Sequence, residues 1–281
     1  MVTDDELREK IAAIPYWYHK IALRPGIITP GWAPLDASKY GVPERLDGET
    51  ILDVGAWDGY WTFEALKRGA KHVTAIDDFS DTIGGNTNAD RSKAWQTFDL
   101  CAEALGYRVL RQKWVNEKVN RSTGKVDRWV TDEWEERGYS RYQCNIEEIN
   151  RDYAEEGYEQ IDAFQRVFFF GVMYHLKNPL RALEECYGLM KPGGTIHVET
   201  AILDNLVSPY TGQPHDPSGC YAEFYPTNEF GKNSSNWWVP TLKCGGAMLQ
   251  AAGFVDIESW KYTDTPQHLA ECRGFLRARK P

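Results

Sequence analysis

The sequence has no long apolar run, no basic surplus and no paired-cysteine spacing, and each lack removes a class of function. No stretch of about eighteen apolar residues occurs, so no segment reads as a membrane-spanning helix. Met1 to Glu9 is acidic and polar, without the basic and apolar regions of a secretion signal. The location expected from these features is cytoplasmic. Net charge is −9 and the isoelectric point lies near 5.3. Proteins that grip phosphate backbones usually carry a basic surplus, so the balance disfavours nucleic acid as a partner. The 6 cysteines, at positions 101, 144, 186, 220, 244 and 272, never form a CxxC pair. They read as free, partly buried thiols. His215 and Cys220 lie close in a Pro/Gly loop, but two ligands are too few for a zinc site, and no metal is expected.

What is present begins at Asp53-Val54-Gly55-Ala56-Trp57-Asp58-Gly59. Thr50 to Leu52 before it is a short apolar strand, and Tyr60 to Arg68 after it reads as a helix. Strand, glycine turn and helix opening make the first half of a nucleotide-binding βα unit. A second strand, His72 to Ile76, ends in Asp77, and an acid there can accept hydrogen bonds from both ribose hydroxyls. A dinucleotide fingerprint needs glycine two and five places after the first, so that the backbone can press against a pyrophosphate. Those places hold Trp57 and Tyr60. The turn therefore suits a nucleoside without phosphates, of which S-adenosylmethionine is the common one.

Thr3 and Glu6 match a capping box for a helix to Ile14, stopped by Pro15. Tyr16 to Leu35 is aromatic and rich in Pro and Gly and reads as irregular. These parts, 1–48, form an expected N-terminal cap segment before a domain at 49–281. Helical periodicity covers Asn88 to Gly106, with Ala94, Phe98, Cys101 and Leu105 on one face, and Tyr107 to Leu110 reads as the third core strand. Trp114 to Asn120 and Lys125 to Val130 flank Arg121-Ser122-Thr123-Gly124 and read as a hairpin, with Trp114 set against Trp129 or Val130. Roughly 111–140 is thus an insertion, and Tyr142 to Ile146 returns to the core. Ala163 to Val172 is an apolar run suited to a central strand covered on both faces. Pro179 to Met190 reads as a helix stopped by Lys191-Pro192-Gly193-Gly194, and Thr195 to Thr200 as the next strand. Pro240-Thr241 opens a helix to Ala252. Phe254 to Trp260 and Cys272 to Arg279 form a closing hairpin. Strands alternating with helices indicate an α/β fold with a doubly wound parallel sheet.

With these residues in hand, the chain resembles class I S-adenosylmethionine-dependent methyltransferases. It is most similar to the branch that contains the tRNA wobble-uridine carboxymethoxy-forming enzyme and many small-molecule methyltransferases. The resemblance is carried by Trp17-Tyr18-His19-Lys20 with Thr29-Pro30-Gly31-Trp32, the Asp53 to Gly59 turn, and Gly171-Val172-Met173-Tyr174-His175-Leu176. Lys191 to Gly194 and Asn236-Trp237-Trp238-Val239-Pro240 complete it. It implies a Rossmann-like sheet of order 3-2-1-4-5-7-6 with strand 7 antiparallel. It also implies that Gly55, Ala56, Trp57 and Gly59 cradle the methionine part of the cofactor, that Asp77 holds the ribose, and that Asn145 and Ile146 line the adenine. Phe170 to Tyr174 would face the sulfonium and the acceptor.

Asp53 reads either as a water-mediated cofactor contact or as a brace for the turn. Tyr174 and His175 lie just past the C-terminal edge of the fourth core strand, where ligands of open α/β sheets bind. An oxygen or nitrogen acceptor can need a base, and histidine has a suitable pKa. His175 is therefore a catalytic candidate beside Tyr174, against the simpler role of capping the next helix. Trp32, Trp237 and Trp238 are candidates for a substrate wall or for plain buried area. By resemblance, Lys20, Tyr174 and Arg273 align with the lysine, tyrosine and arginine that clamp the extra carboxylate of carboxy-S-adenosylmethionine. Arg108 to Arg128 carries seven basic residues against Glu117 and Asp127. That run reads as a solvated lid or an oligomer contact, neutralised by Asp132 to Glu136 nearby, or alternatively as an RNA contact with stacking Trp114 and Trp129.

The activity expected is methyl transfer from S-adenosylmethionine to an oxygen or nitrogen of a small-molecule acceptor. The acidic balance favours it, as does a start without the long N-terminal extension of the tRNA enzymes. Two alternatives remain: wobble-uridine modification of tRNA with the carboxylated cofactor, and a non-catalytic module that only binds the cofactor.

Overall fold

The computed structural model describes residues 2–77, 96–112, 115–119, 126–130, 139–140, 154, 157 and 162–281. The described residues of 1–38, 43–79 and 90–141 form one unit, and those of 39–42 and 142–281 form another.

In the first unit, helix α1 (Asp4–Ala13) starts at a complete capping box: the Thr3 hydroxyl accepts from the Glu6 N–H while Glu6 accepts from the Thr3 N–H. Its buried face, Leu7 and Ile11, joins Trp17, Ile21, Leu23 and Ile27 in one core with Phe63 and Phe98. The segment expected to be irregular contains a short hairpin, β1 (Ala22–Arg24) and β2 (Ile27–Ile28). Strand β3 (Thr50–Val54) is buried throughout. It leads through the glycine turn into α2 (Tyr60–Lys67) and then β4 (His72–Ile76). Helix α3 (Gln96–Leu105) packs Phe98, Leu100 and Cys101 inward. The third core strand is β5 (Leu110–Gln112), a few residues later than expected, because Gly106 to Val109 serve as the connection. Strands β3, β4 and β5 are parallel neighbours in that order.

The insertion is a three-stranded sheet of its own. Strands β6 (Val115–Val119) and β7 (Val126–Val130) form the hairpin, and β8 (Tyr139–Ser140) pairs with the other side of β6. The register sets Asn116 opposite Trp129 and Val115 opposite Val130. The expected opposition of Trp114 to Trp129 or Val130 is therefore corrected: Trp129 and Val130 face Asn116 and Val115 instead, the register that follows from a four-residue connection at 121–124, and Trp114 lies outside the described residues.

In the second unit, strand β9 (Phe164–Phe170) buries Phe164, Val167, Phe168, Phe169 and Phe170. Each phenylalanine withdrawn from water stabilises by about 1.5–3 kcal/mol, so this strand anchors the core. Helix α4 (Pro179–Leu189) begins with proline at its first turn, where no N–H is needed. Strand β10 (Met190–Ala201) starts earlier than expected. The Lys191 to Gly194 stretch is an irregularity within it, between the pairs Met190–Phe164 and Thr195–Arg166. A small hairpin, β11 (Ala222–Phe224) with β12 (Trp238–Pro240), precedes α5 (Leu242–Ala251). Thr241 caps α5 by accepting the Cys244 N–H. Strands β13 (Val255–Lys261) and β14 (Arg273–Arg279) are antiparallel, and β14 also lies antiparallel to β10. Counted as core strands, the first unit runs 3-2-1 and the second 4-5-7-6, with the seventh antiparallel. The fold is α/β and Rossmann-like, with mostly parallel strands. No helix among the described residues is long and apolar enough to cross a membrane.

Candidate active site

The glycine turn is pinned at both ends. The N–H groups of Gly55 and Ala56 donate to the Ile76 carbonyl at 2.8 and 3.1 Å, which ties the turn to the end of β4. Trp57 adopts a left-handed backbone (φ 47°) and aims its N–H at Asp77 Oδ2, 2.8 Å away. A non-glycine residue there costs about 1–2 kcal/mol, which the hydrogen bond to a carboxylate offsets. The carboxylate of Asp77 is thus set at the mouth of the turn. Gly59 opens α2 at φ 87°, and a Cβ there would collide with the rings of Phe63 and Phe98.

Asp53 is 2% exposed and accepts the Thr62 hydroxyl. Burial pushes its carboxyl up to about 6, against the opposing pull of that hydrogen bond. In this geometry Asp53 braces the helix to the strand.

The N-terminal segment carries residues that the sequence reading did not place in a site. Tyr18 stacks on the Trp57 indole at 5.0 Å between centroids, and Tyr16 lies 6.5 Å from it. His19 donates its backbone N–H to Asp58 Oδ2 at 2.9 Å and turns Nδ1 to Asp58 Oδ1 at 2.5 Å. Both residues are buried, and the imidazole lies flat on Tyr60. The signal was in the sequence: Trp17, His19 and Ile21 alternate with exposed or half-exposed neighbours, which puts a histidine on an apolar face. Nothing in the spacing pairs that histidine with Asp58, 39 residues on. Gly31 allows the two backbones to touch, since a Cβ there would strike the His19 and Tyr18 carbonyls. Lys20 is exposed, and Trp32, 43% exposed, packs edge-on against Tyr18.

In the second unit the residues around the end of β9 come together. Phe170 is buried against Phe168 and the edge of Tyr40. Tyr174 and His175 form a short helical turn directly after Gly171, with their rings 4.1 Å apart. The Arg273 guanidinium lies over the Tyr174 ring at 5.0 Å, and its Nε stands 3.4 Å from Glu199 Oε1. Sequence reasoning named Tyr174 and Arg273 but missed Glu199, a buried acid near the end of β10. The Trp237 N–H donates to the Tyr174 carbonyl at 2.7 Å, so the loop before β12 is tied to that turn. Phe224 stacks near Trp237 and Trp238, and the Lys177 ammonium sits 4.7 Å over Trp237. Trp237 and Trp238 therefore form one aromatic patch with Phe224, while Trp32 belongs to the first unit. Asn145 and Ile146 lie outside the described residues.

Comparison with known proteins agrees with this architecture. The chain is 25% identical over 212 residues to a tRNA U34 carboxymethyltransferase of Shewanella woodyi, covering 75% of this chain and 46% of that protein. It is 27% identical over 234 residues to the tRNA U34 carboxymethyltransferase of Geobacter sp. M21, covering 83% and 53%. The chain thus spans about half the length of the curated relatives it matches. Among solved structures, the N-terminal domain of EvdMO1 with SAH bound superposes with a TM-score of 0.57 at 13% identity, over 100% of this chain and 98% of that one. That likeness establishes the fold. The family model described as "Methyltransferase domain" matches residues 35–239, from the connection before β3 through most of β12. With the pinned turn, the acid at the end of β4 and the Tyr174–His175 turn all inside that span, the chain belongs to the methyltransferase domain family.

Proposed function

We propose that the protein transfers a methyl group from S-adenosylmethionine to an oxygen or nitrogen of a small acceptor bearing a planar ring. The observation that carries this reading is the turn from Gly55 to Gly59, with Asp77 fixed at its mouth by the Trp57 N–H. The residues present suit an adenosyl group: a bare turn for the amino-acid moiety and an acceptor-only carboxylate for two ribose hydroxyls. The indole of Trp57, stacked on Tyr18, stands where a dinucleotide fingerprint has glycine. When bound, the cofactor supplies an electrophilic methyl group on sulfur.

The chain's own residues then have separate tasks. Asp77 and the turn hold and orient the cofactor, which is most of what an in-line displacement demands. Tyr174, buried and braced by Arg273 and by the Trp237 N–H, shapes the acceptor side. The Phe224, Trp237 and Trp238 patch, with Lys177 over one ring, suits a flat ring carrying a negative substituent. His175 accepts the proton that an oxygen or nitrogen nucleophile gives up.

A second reading is favoured by the names of the relatives and by the closeness of Tyr174 to Arg273: tRNA modification with carboxy-S-adenosylmethionine. Against it, Arg273 already faces the Glu199 carboxylate, which would repel a second one. Mass spectrometry of the nucleoside that copurifies with the protein separates the two. S-adenosylmethionine or its demethylated product supports the first reading, and the carboxylated compound replaces it with the second. A nicotinamide or flavin dinucleotide would refute both.

A further inference from the structure

The loop before β12 carries a hydrogen-bond relay that ends on His175. Asn233 Oδ1 lies 2.9 Å from the Ser235 backbone N–H and 2.9 Å from the Ser235 hydroxyl. The backbone N–H can only donate, so the Asn233 atom it meets is the carbonyl oxygen and not the amide nitrogen. A carbonyl oxygen can only accept, so the hydroxyl proton of Ser235 points to Asn233. The Ser235 Oγ lies 3.0 Å from His175 Nδ1, and the Ser235 carbonyl lies 3.2 Å from the same nitrogen. Its proton spent, Oγ faces the ring as an acceptor, and the carbonyl is an acceptor in any case. His175 Nδ1 therefore carries a hydrogen.

We propose that Asn233 and Ser235 are positioning residues that lock His175 as the Nδ1–H tautomer and so present Nε2 as the proton acceptor. In a neutral imidazole the nitrogen opposite the protonated one holds the lone pair. The relay settles which one that is, as a carboxylate does for the histidine of a hydrolase triad. Two anchors keep the relay in place: the Trp237 N–H bound to the Tyr174 carbonyl, and the Asn236 side chain donating to the Phe230 carbonyl at 2.9 Å. This assignment rests on the methyl-transfer reading for the identity of the proton, and the balance is simple. The acceptor's lone pair forms the new bond to the methyl carbon, the carbon–sulfur bond breaks with its electrons left on sulfur, and the acceptor's O–H or N–H proton passes to Nε2. The positive charge lost from sulfur reappears on the imidazolium, whose Nδ1–H still has both Ser235 oxygens to meet.

The test uses the full chain with 15N-labelled histidine. Long-range proton–nitrogen correlation at pH 8, with His175→Gln to identify the signals, reads the tautomer directly. The expected spectrum shows His175 with Nδ1 protonated and Nε2 bare. In Asn233→Ala the Ser235 hydroxyl is released to donate to the ring, and the Nε2–H form should rise to at least a third of the population. Asn233→Asp accepts both bonds and should restore the wild-type tautomer. Diethyl pyrocarbonate, which acylates only a deprotonated and reachable imidazole nitrogen, should modify Nε2 of His175 in the wild type and react there more slowly in Asn233→Ala, in proportion to the Nε2–H fraction that the spectrum shows. A wild-type spectrum with Nε2 protonated would overturn the proposal, as would a His175 that resists acylation. The acylation readout needs no variant to fold, and the spectrum needs only His175→Gln, for assignment. Calorimetry with S-adenosylmethionine on the same sample reports the methyl-transfer reading separately, so either can fail alone.

Discussion

His19 and Asp58 stand 39 residues apart in the chain and share two hydrogen bonds, one from the backbone N–H and one through the ring Nδ1. The contact fastens the N-terminal segment to the glycine turn. Asp58 is fully buried, so removing its partner strands a carboxylate with one backbone donor. Breaking a buried pair from one side costs about 3–5 kcal/mol. His19→Ala is expected to lose about 3 kcal/mol in urea melts and to open the 16–35 stretch to proteolysis before the rest unfolds. A loss under 0.5 kcal/mol would show that the segment is held by its aromatic stacking alone.

Asp77 accepts the Trp57 N–H and, on the reading proposed above, also the ribose hydroxyls, and two variants separate these duties. Asp77→Ala removes both the Trp57 N–H acceptor and the ribose ligand. Asp77→Asn keeps a neutral acceptor for Trp57. Losing a hydrogen bond to a charged group costs about 1.5–3 kcal/mol, so calorimetry should find at least tenfold weaker binding of S-adenosylmethionine in Asp77→Ala. Asp77→Asn is expected to melt like the wild type and bind weakly. Unchanged affinity in Asp77→Ala would remove the residue from the site.

These contrasts also show where the sequence was readable. The turn, the two strands beside it and the closing hairpin were legible because local spacing dictates them: Asp53 to Gly59 can only be a strand-to-helix turn, and Val255 to Arg279 reads as two strands with one loop. His19 with Asp58, and Glu199 with Arg273, were not legible as pairs. Each joins residues 39 or more positions apart, 39 in the first case and 74 in the second, and spacing carries no information at that range. The early start of β10 was hidden for another reason. Proline and two glycines signal a stop, yet here they form an irregularity inside a paired strand, with the Gly193 N–H donating to the Lys280 carbonyl.

Two buried groups pull the pH dependence of stability in opposite directions. Asp53 keeps its proton up to about pH 6 in the fold, against about 4 for an ordinary carboxyl. The folded state binds that proton more tightly, so this contribution is complete below pH 4 and is lost as pH rises through 6. His197, buried and facing Arg166, is pushed down to about 3. Its contribution has the other sign: present above pH 6.5 and lost as pH falls. The wild-type profile between pH 4 and 6.5 is therefore flattened by cancellation. Asp53→Asn should uncover the histidine, so that stability rises with pH across this window. Relative to wild type, the variant should gain on the order of 3 kcal/mol between pH 4 and 7.5. Parallel profiles would mean that Asp53 is ionised throughout.

The inserted sheet offers a prediction that bears on the acceptor. Strands β6 and β7 pair with each other, and β6 with β8, in a sheet separate from the core strands β3 to β5. Among the described residues no ladder of the core runs through them, so replacing 114–130 with a short Gly/Ser linker should leave one cooperative melt, shifted by no more than a few degrees. Loss of cooperativity would make the hairpin integral to the first unit. The same variant weighs the two acceptor readings. The run from Arg108 to Arg128 has a net charge of about +5 in an acidic chain, and phosphate contacts made by such a run weaken steeply with salt. If the acceptor is a small molecule, full-length protein and variant should both pass bulk tRNA without retention at 150 mM salt, on the order of physiological strength. Retention by the full chain that falls with salt and vanishes in the variant would move the assignment to tRNA, with this hairpin as its grip.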